Sequence, residues 1–228
     1  MYKYSKKNAK AYNQLGIAGT TYEPGFNEVS RVLGDLSGKI ALDFGSGTGR
    51  TSQMLLGLGA NKVIGVDCDE SMINQAKRLK DDRLEFTLIE DKIPLGDNKI
   101  DVALCTHVFI EMDSLDKMER VSREISRVLK PGGVFIIVTN NPEAIGHEFV
   151  SYGYKKKDNL KSGDKIICTM KTKNAFEIDD YFWTENDYKR VLIKTGFTIK
   201  SINYPKASKG KWFEETKVAP HLVIECIK

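Results

Sequence analysis

A short stretch of the chain, ALDFGSGTGR at residues 41–50, contains the residue types most able to bind a small molecule. Glycine recurs at Gly45, Gly47 and Gly49, and a carboxylate, Asp43, stands two residues before the first of them. Closely spaced glycines let the backbone approach a ligand, and an apolar run before them is typical of a strand that turns into a helix. The stretch therefore predicts a ligand site at the first strand-to-helix turn.

The spacing of these glycines disfavours a dinucleotide as the ligand. The dinucleotide pattern Gly-x-Gly-x-x-Gly would require glycine at position 50, where the chain has Arg50. A pyrophosphate group also gains nothing from a carboxylate just upstream of the turn. Asp43 therefore favours a ligand with a cationic or hydrogen-bond-donating end, and a nicotinamide-dependent dehydrogenase is disfavoured.

The elements around the turn alternate between strands and helices. Apolar runs predict strands at residues 39–44, 62–67, 84–89, 100–105 and 134–139. Between the last two, apolar residues at helical spacing predict a helix over 114–129, which ends at the sequence LKPGG. Such alternation is typical of a doubly wound, mostly parallel sheet, in which ligands bind where the strands end.

The C-terminal part follows a different pattern. A helix is predicted over residues 185–195, and two strands, GFTIKSINY at 196–204 and HLVIECIK at 221–228, follow with no helix between them. We expect these strands to form an antiparallel pair at the edge of the sheet. Residues 141–183 interrupt the alternation and contain a strand-like run, DKIICTMKT. They are interpreted as an insertion over the ligand-binding end of the sheet.

The overall composition disfavours several classes of protein. The chain of 228 residues carries 35 basic and 31 acidic residues, and its formal net charge of +4 is too small to indicate a nucleic-acid-binding protein. No apolar run is long enough to span a bilayer, and the basic N-terminal segment lacks the apolar core of a signal peptide. The four cysteines are scattered, without metal-site spacing, so we expect free thiols, no bound metal and a cytoplasmic location.

Asp43 and the three glycines resemble the first motif, acidic-x-Gly-x-Gly-x-Gly, of the class I S-adenosylmethionine-dependent methyltransferases. The resemblance continues at Asp67, eighteen residues after Gly49, where the family places an acid that binds both ribose hydroxyls. It extends through IPLGDNKID and LKPGG and covers roughly residues 38–140.

The resemblance implies an α/β fold, with a Rossmann-like, doubly wound, seven-stranded sheet that is mostly parallel with an antiparallel edge strand. We expect a single domain made of an N-terminal helical cap (1–36), a cofactor-binding core (37–140), a lid or acceptor insertion (141–183), and a C-terminal helix with antiparallel strands (184–228). The cap and the insertion are expected to close over the bound molecules.

The resemblance also implies S-adenosyl-L-methionine as the cofactor. Met72 is expected to lie against the adenine, and either Glu90 or Asp91 to contact it. The ring of Tyr12 is expected near the sulfonium, because aromatic faces attract cations. The full set of expected cofactor-binding residues is Tyr12, Asp43, Gly45, Ser46, Gly47, Thr48, Gly49, Asp67, Cys68, Met72, Glu90, Asp91 and Thr106.

Methyl transfer from a sulfonium requires no protein nucleophile, and it requires a base only if the acceptor is protonated. His107, just past the fourth predicted strand, and Glu111, one helical turn further on, are the candidate catalytic bases. The alternative for His107 is a structural histidine or packing against the cofactor. His147, in the insertion, is a weaker candidate, and His221 is expected to be structural at the start of the last strand.

Motifs that are absent from the chain reduce the number of acceptor classes. Aromatic residues near the N-terminus and in the insertion either pack as core or form a lid and acceptor pocket. CTHVFI follows the fourth strand in place of the Asn/Asp-Pro-Pro-aromatic motif of base-amine methyltransferases, and no Pro-Cys dipeptide occurs. The preferred acceptor is an N, O or C nucleophile of a small-molecule metabolite or natural product. The alternatives are a protein or RNA methyltransferase and a non-catalytic S-adenosylmethionine-binding module. We expect no nucleic-acid or membrane partner, and a monomer or homodimer.

Overall fold

Strands and helices alternate along the chain largely as the sequence pattern predicts. The computed structural model describes residues 5–90, 92–173, 175–208 and 210–228. The helices are α1 Lys6–Asn13, α2 Glu23–Leu33, α3 Arg50–Gly57, α4 Glu70–Ala76, α5 Leu115–Val128 and α6 Glu185–Lys194. The strands are β1 Ile40–Phe44, β2 Lys62–Asp67, β3 Leu84–Leu88, β4 Ile100–Thr106, β5 Leu129–Asn140, β6 Tyr152–Tyr154, β7 Lys165–Met170, β8 Phe176–Tyr181, β9 Thr198–Asn203 and β10 His221–Ile227. A short 3-10 turn, Phe109–Glu111, follows β4.

Seven of these strands form the main sheet, in the order β3-β2-β1-β4-β5-β10-β9. The first five pair in parallel, whereas β10 runs antiparallel to both β5 and β9. The mostly parallel, seven-stranded sheet with an antiparallel pair at its edge is therefore confirmed. The strand order reverses between β1 and β4, and at such a point a crevice opens at the carboxyl ends of the strands.

The main sheet is buried on both faces, which explains its near-continuous apolar strands. Successive residues of β1 point to opposite faces, so Leu42 joins an apolar cluster with α5 and α6, whereas Ala41 joins another cluster with α2 and α3. Both side chains are fully buried. The central strands therefore form a rigid support for the residues that follow their carboxyl ends.

The fifth strand begins earlier than the sequence predicts. The predicted strand covered residues 134–139, but Leu129 already pairs with Ile100 at the start of β5. The register then shifts before Val134 pairs with Val102, and the Lys-Pro-Gly-Gly segment forms the irregularity between these two pairs. Proline and glycine therefore distort this strand without ending its pairing.

Residues 141–183 contain a second sheet of three antiparallel strands, β6-β7-β8. The predicted strand DKIICTMKT corresponds to β7, whereas β6 and β8 were missed. One face of this small sheet joins an apolar cluster with the N-terminal segment, in which Cys168 and Ile178 pack with Tyr22 and Phe26. The insertion and the N-terminal segment thus share one core.

A buried carboxylate, Glu215, connects three distant parts of the chain. Its Oε1 accepts hydrogen bonds from Thr21 Oγ1 at 2.9 Å and from the Val150 amide at 2.6 Å. Its Oε2 accepts one from the Phe213 amide at 2.9 Å. Glu215 and Thr21 are both fully buried, so this carboxylate fixes the N-terminal segment and the insertion to the loop between β9 and β10.

We predict that Glu215→Ala destabilises the fold. Removing the carboxylate leaves a buried donor at Thr21 and a half-buried donor at Val150 unpaired, and a buried donor without a partner costs about 1–3 kcal/mol. The free energy of unfolding should therefore fall in urea denaturation relative to the wild type. Thr216→Ala, at an exposed neighbouring position, is the matched control and should change little. Equal stability of the two variants would contradict the connecting role of Glu215.

Candidate functional site

The turn after β1, residues 45–49, has a backbone that glycine adopts more readily than other residues. Gly45, Gly47 and Gly49 have φ angles of +74°, +53° and +87°, in the left-handed region where other residues lose about 1–2 kcal/mol. Gly49 is also the N-cap of α3. The chain therefore passes from strand to helix in one sharp turn, which we call the glycine turn.

The three glycines serve two different purposes. A Cβ at Gly45 would overlap Cγ2 of Val108, and a Cβ at Gly49 would lie 2.9 Å from Cζ of Phe86. A Cβ at Gly47 would meet no described atom within 4 Å. Gly45 and Gly49 therefore allow protein to pack on protein, whereas Gly47 borders open space where a ligand can approach the backbone.

Asp67 ends β2 beside the glycine turn. Its Oδ2 accepts a hydrogen bond from the Gly47 amide at 2.8 Å, and its Oδ1 accepts one from the Asp69 amide at 2.8 Å. Burial raises the pKa of this carboxyl, and the two backbone amides oppose that rise. Each carboxylate oxygen has a second lone pair, so Asp67 can fix the turn and still accept hydroxyl groups of a ligand.

Asp43 lies beneath the glycine turn and is fully buried. Its Oδ2 accepts hydrogen bonds from Thr51 Oγ1 at 2.7 Å and from Ser52 Oγ at 2.6 Å. Burial raises the pKa of Asp43 to about 6. Its Oδ1 and the buried Ser46 Oγ have no hydrogen-bond partner among the described residues. Asp43 therefore ties the end of β1 to the first turn of α3.

A cavity opens between the glycine turn, the end of β2 and the end of β4; we call it the glycine cavity. It measures about 460 Å³ including its mouth. Seven of the predicted cofactor-binding residues line it, together with both candidate bases. The lining residues are Tyr12, Gly45, Gly47, Asp67, Cys68, Asp69, Met72, Thr106, His107, Val108 and Glu111.

Other predicted cofactor residues lie outside this lining, and these are Asp43, Ser46, Thr48, Gly49 and Glu90. Asp43, Ser46 and Thr48 are buried within the protein, and Gly49 packs against Phe86. In this geometry they shape the turn from behind. Glu90 is exposed, and Asp91, its predicted alternative, lies outside the described residues.

Two residues that line the glycine cavity, Asp69 and Val108, are not among the predicted site residues. Asp69 caps α4, because its Oδ1 accepts a hydrogen bond from the Met72 amide at 3.0 Å. An acid three residues before an apolar helix position is a recognisable cap signal. Val108 packs against Gly45 across the fold, and no sequence pattern signals that contact.

A second cavity adjoins the first beneath the insertion; we call it the aromatic cavity. It measures about 360 Å³ including its mouth. Tyr12, His107 and Glu111 line both cavities. The other lining residues of the aromatic cavity are Tyr22, Ile110, Asn140, Tyr152, Tyr154, Cys168, Met170, Ile178 and Asp180. The two cavities therefore meet at three shared side chains.

His107 lies at this junction in an environment that makes it a weak base. Burial, aided by the guanidinium of Arg50, lowers the pKa of His107 to about 3. Its ring centroid lies 5.3 Å from that of Tyr22, and its Nε2 has no hydrogen-bond partner among the described residues. A neutral imidazole with so low a pKa accepts a proton poorly near neutral pH. The geometry therefore favours the packing alternative over general-base catalysis.

The remaining candidate groups differ in their positions. His147 lies 3.3 Å from Glu214 and lines neither cavity. His221 begins β10, as predicted, and its Nε2 lies 3.0 Å from the Tyr152 hydroxyl. Glu111, in the 3-10 turn after β4, lines both cavities as His107 does. Because the pKa of His107 is lowered to about 3, Glu111 is the better of the two candidate bases.

Arg50 holds the N-terminal segment over the two cavities. Its guanidinium lies 4.4 Å from the ring centroid of Tyr22 and 5.1 Å from that of Tyr12. It also donates hydrogen bonds to the Leu15 carbonyl at 2.9 Å and to the Tyr12 hydroxyl at 3.1 Å. Arg50, which stands where the dinucleotide pattern requires glycine, therefore links the glycine turn to the N-terminal segment. No sequence pattern predicted this role.

The described part of the chain holds no candidate metal site and no candidate membrane-spanning helix. Within the described ranges, no three His, Cys, Asp or Glu side chains are grouped so that they could hold a metal ion. No described helix is both long and apolar enough to cross a membrane.

Comparison with known sequences supports the same kind of site. A sequence model described as a methyltransferase domain matches residues 42–137. The chain is 26% identical over 182 residues to the N-demethylindolmycin N-methyltransferase of Streptomyces griseus, and this match covers 73% of each protein. It is 34% identical over 104 residues to the ribosomal protein L11 methyltransferase of Vibrio cholerae, but this match covers only 43% of the chain and 32% of that relative.

Comparison with solved structures supports the fold. An S-adenosylmethionine-dependent methyltransferase from Mesorhizobium loti superimposes with a TM-score of 0.69 at 17% identity, over 93% of this chain and all of that one. At this identity the likeness concerns the architecture.

The glycine cavity fits an adenosyl cofactor by its own geometry. Gly47 leaves room against the backbone, Asp67 presents a carboxylate at the end of β2, and Met72 supplies an apolar wall. These features, the strand order and the matching relatives agree with one another. A methyltransferase domain therefore matches residues 42–137, and the chain has the fold and the site of an S-adenosylmethionine-dependent methyltransferase.

Proposed function

We propose that this enzyme methylates a small molecule that enters the aromatic cavity. The observation that carries the proposal is the junction of the two cavities at Tyr12, His107 and Glu111. A cofactor in the glycine cavity and an acceptor in the aromatic cavity would meet at these side chains. Such alignment of two reactants is the main contribution a protein makes to this kind of transfer.

Bound S-adenosylmethionine supplies a methyl group on a positively charged sulfur. In our proposal Asp67 accepts the ribose hydroxyls, Met72 packs against the adenine, and the backbone at Gly47 lies against the cofactor. The ring of Tyr12 lies where it can face a cation at the junction. The adenine contact of Glu90 or Asp91 stays a prediction.

The buried tyrosine rings of the aromatic cavity support a small acceptor. The N-terminal segment and the insertion share one core that includes Tyr22, Tyr152 and Tyr154, and all three rings are buried and line the aromatic cavity. Closure of this kind excludes water from the reacting atoms. The Streptomyces griseus relative, whose name describes an N-methyltransferase of a small molecule, agrees with this substrate class.

A protein acceptor is the second candidate, because other relatives are ribosomal protein L11 methyltransferases. Those matches cover about a third or less of each relative, for example 34% in Photobacterium profundum. A polypeptide would need an open groove at the junction, whereas buried rings of the N-terminal segment and the insertion line the aromatic cavity. Competition between small acceptors and peptides in a methyl-transfer assay separates the two candidates. A cytoplasmic location and the absence of a nucleic-acid partner remain expectations.

We predict that Asp67→Ala weakens binding of S-adenosylhomocysteine at least tenfold. The change removes charge-assisted hydrogen bonds that are each worth about 1.5–3 kcal/mol. Isothermal titration calorimetry measures the affinity. Glu85→Ala, which removes an exposed carboxylate paired with Lys62, is the control and should bind normally. Unchanged affinity in Asp67→Ala would remove this residue from the site.

Gly47→Ala and Gly45→Ala should fail in different ways. At Gly47 the new Cβ has space in the protein but enters the glycine cavity, so cofactor affinity should fall more than stability. At Gly45 the new Cβ overlaps Val108, so the melting temperature should fall further than in Gly47→Ala. Thermal denaturation and calorimetry with S-adenosylhomocysteine measure the two effects. Normal affinity in Gly47→Ala would contradict the proposed cofactor position.

Arg50→Ala should loosen the N-terminal segment. The change removes the hydrogen bonds to Leu15 and Tyr12 and the contact with the Tyr22 ring. Hydrogen exchange measured by mass spectrometry should become faster in residues 8–15, and bound S-adenosylhomocysteine should protect them less. Arg31→Ala, which removes an exposed ion pair with Glu28, is the control. Unaltered exchange in Arg50→Ala would show that other contacts hold the cap.

A further inference from the structure

The aromatic cavity combines tyrosine rings with carboxylates. Four tyrosines line it, and so do the acids Glu111 and Asp180. Among its described lining residues there is no lysine or arginine. The lining histidine, His107, is held neutral because burial lowers its pKa to about 3. The walls are therefore suited to a positively charged guest rather than to a carboxylate or phosphate.

Asp180 is the distinctive group of this cavity. Its side chain is buried, and its Oδ2 accepts a hydrogen bond from the Tyr154 hydroxyl at 2.6 Å. The Tyr154 hydroxyl is in turn contacted by the Asn140 side-chain amide. No described residue donates to Oδ1 of Asp180 or forms an ion pair with it. Tyr154 therefore orients this carboxylate, and the lone pairs of Oδ1 stay available to a ligand.

The strand pattern shows how unusual this position is. In β8 the residues alternate, so that Glu177 and Asp179 are exposed whereas Ile178 and Asp180 are buried. An inward position of a small sheet is normally apolar, and burial of a carboxylate without a cation is costly. Burial raises the pKa of Asp180 to about 7. A residue that breaks a local rule in this way is expected where it serves a function.

Arg50 does not serve as the cation that would compensate the buried carboxylate of Asp180. Its guanidinium lies over Tyr12 and Tyr22, and it is not among the groups that shift the pKa of Asp180, which are burial, Tyr154 and Asp179. A guest cation would therefore bind beside Asp180 and Tyr154, in a cavity that Arg50 does not line.

We infer that the acceptor is a primary or secondary amine that binds as an ammonium ion, with its N–H groups donating to Asp180. The rings of Tyr152 and Tyr154 provide an aromatic wall beside that charge. An ammonium nitrogen has no lone pair, so it would first give one proton to the Asp180 carboxylate. The freed lone pair would then form the N–CH3 bond as the S–CH3 bond of the cofactor breaks, and S-adenosylhomocysteine would be the leaving group. This assignment rests on the proposed use of the aromatic cavity for the acceptor, and it narrows the N, O or C nucleophile to nitrogen. Asp180 is placed here as the residue that binds the ammonium and accepts its proton.

Calorimetry with three matched probes tests this assignment. The probes are 2-phenylethylamine, 2-phenylethanol and 3-phenylpropanoate, which differ mainly in the charge of one end group, and each is titrated into protein saturated with S-adenosylhomocysteine. The amine should bind at least tenfold more tightly than the alcohol, and the acid should not bind detectably. The series is repeated with ethylamine and tryptamine and their alcohol and acid counterparts, so that guest size is varied separately from charge.

Asp180→Asn is the diagnostic variant, because asparagine keeps the shape and can still accept the Tyr154 hydrogen bond. Amine affinity should fall at least tenfold, while S-adenosylhomocysteine affinity stays unchanged and so reports an intact fold. Asp179→Asn, on the exposed face of the same strand, is the matched control and should bind the amine normally.

The outcomes separate the two levels of the proposal. If the wild type does not bind S-adenosylhomocysteine, the proposed function itself fails. If it does, the amine assignment is wrong when alcohols or acids bind as tightly as amines, when no amine of the series binds, or when Asp180→Asn binds amines as the wild type does.

Discussion

The reversal of strand order between β1 and β4 is the constraint on which the rest of the structure depends. Because β1 pairs with β2 on one side and with β4 on the other, the chain leaves the sheet in different directions at neighbouring strand ends, and a crevice opens there. The glycine turn follows β1, Asp67 ends β2, and His107 follows β4. Strands buried on both faces hold them rigidly, so their relative positions are set by the sheet and not by the loops themselves.

The second cavity depends on contacts between parts of the chain that are distant in sequence. Arg50 reaches from the start of α3 to Tyr12 and Leu15, and Glu215 joins Thr21 to Val150. Neither contact belongs to the sheet, yet together they fix the N-terminal segment and the insertion, which both contribute lining residues to the aromatic cavity. A few polar contacts of roughly 1–3 kcal/mol each can therefore decide how the walls of this cavity are arranged.

The sequence predicted the parts of the molecule that local patterns encode. Strand alternation, the glycine spacing and the position of Asp67 all reflect interactions within or next to one strand-helix unit, so the sheet and much of the glycine cavity could be predicted. Asp180 and Arg50 could not, because their significance depends on which side chains the tertiary fold brings to them. His107 shows the converse: its position past β4 was predictable, but its low pKa results from burial among distant residues.

Two buried acids show why access to a cavity separates structure from function. Burial raises the pKa of Asp43 to about 6 and that of Asp180 to about 7. An acid whose pKa is raised by folding lowers the stability of the fold as pH rises from its unfolded pKa, about 4, to its folded pKa, because over that range the folded state keeps a proton that the unfolded chain has released. Asp43 lines neither cavity. Its hydrogen-bond partners are the hydroxyls of Thr51 and Ser52, which belong to the protein itself. Asp180 faces a cavity, and a cation that enters would favour its ionised form and offset that loss of stability. A buried carboxylate therefore has a structural role at Asp43, beneath the glycine turn. At Asp180, where a ligand can reach it, a buried carboxylate can bind that ligand.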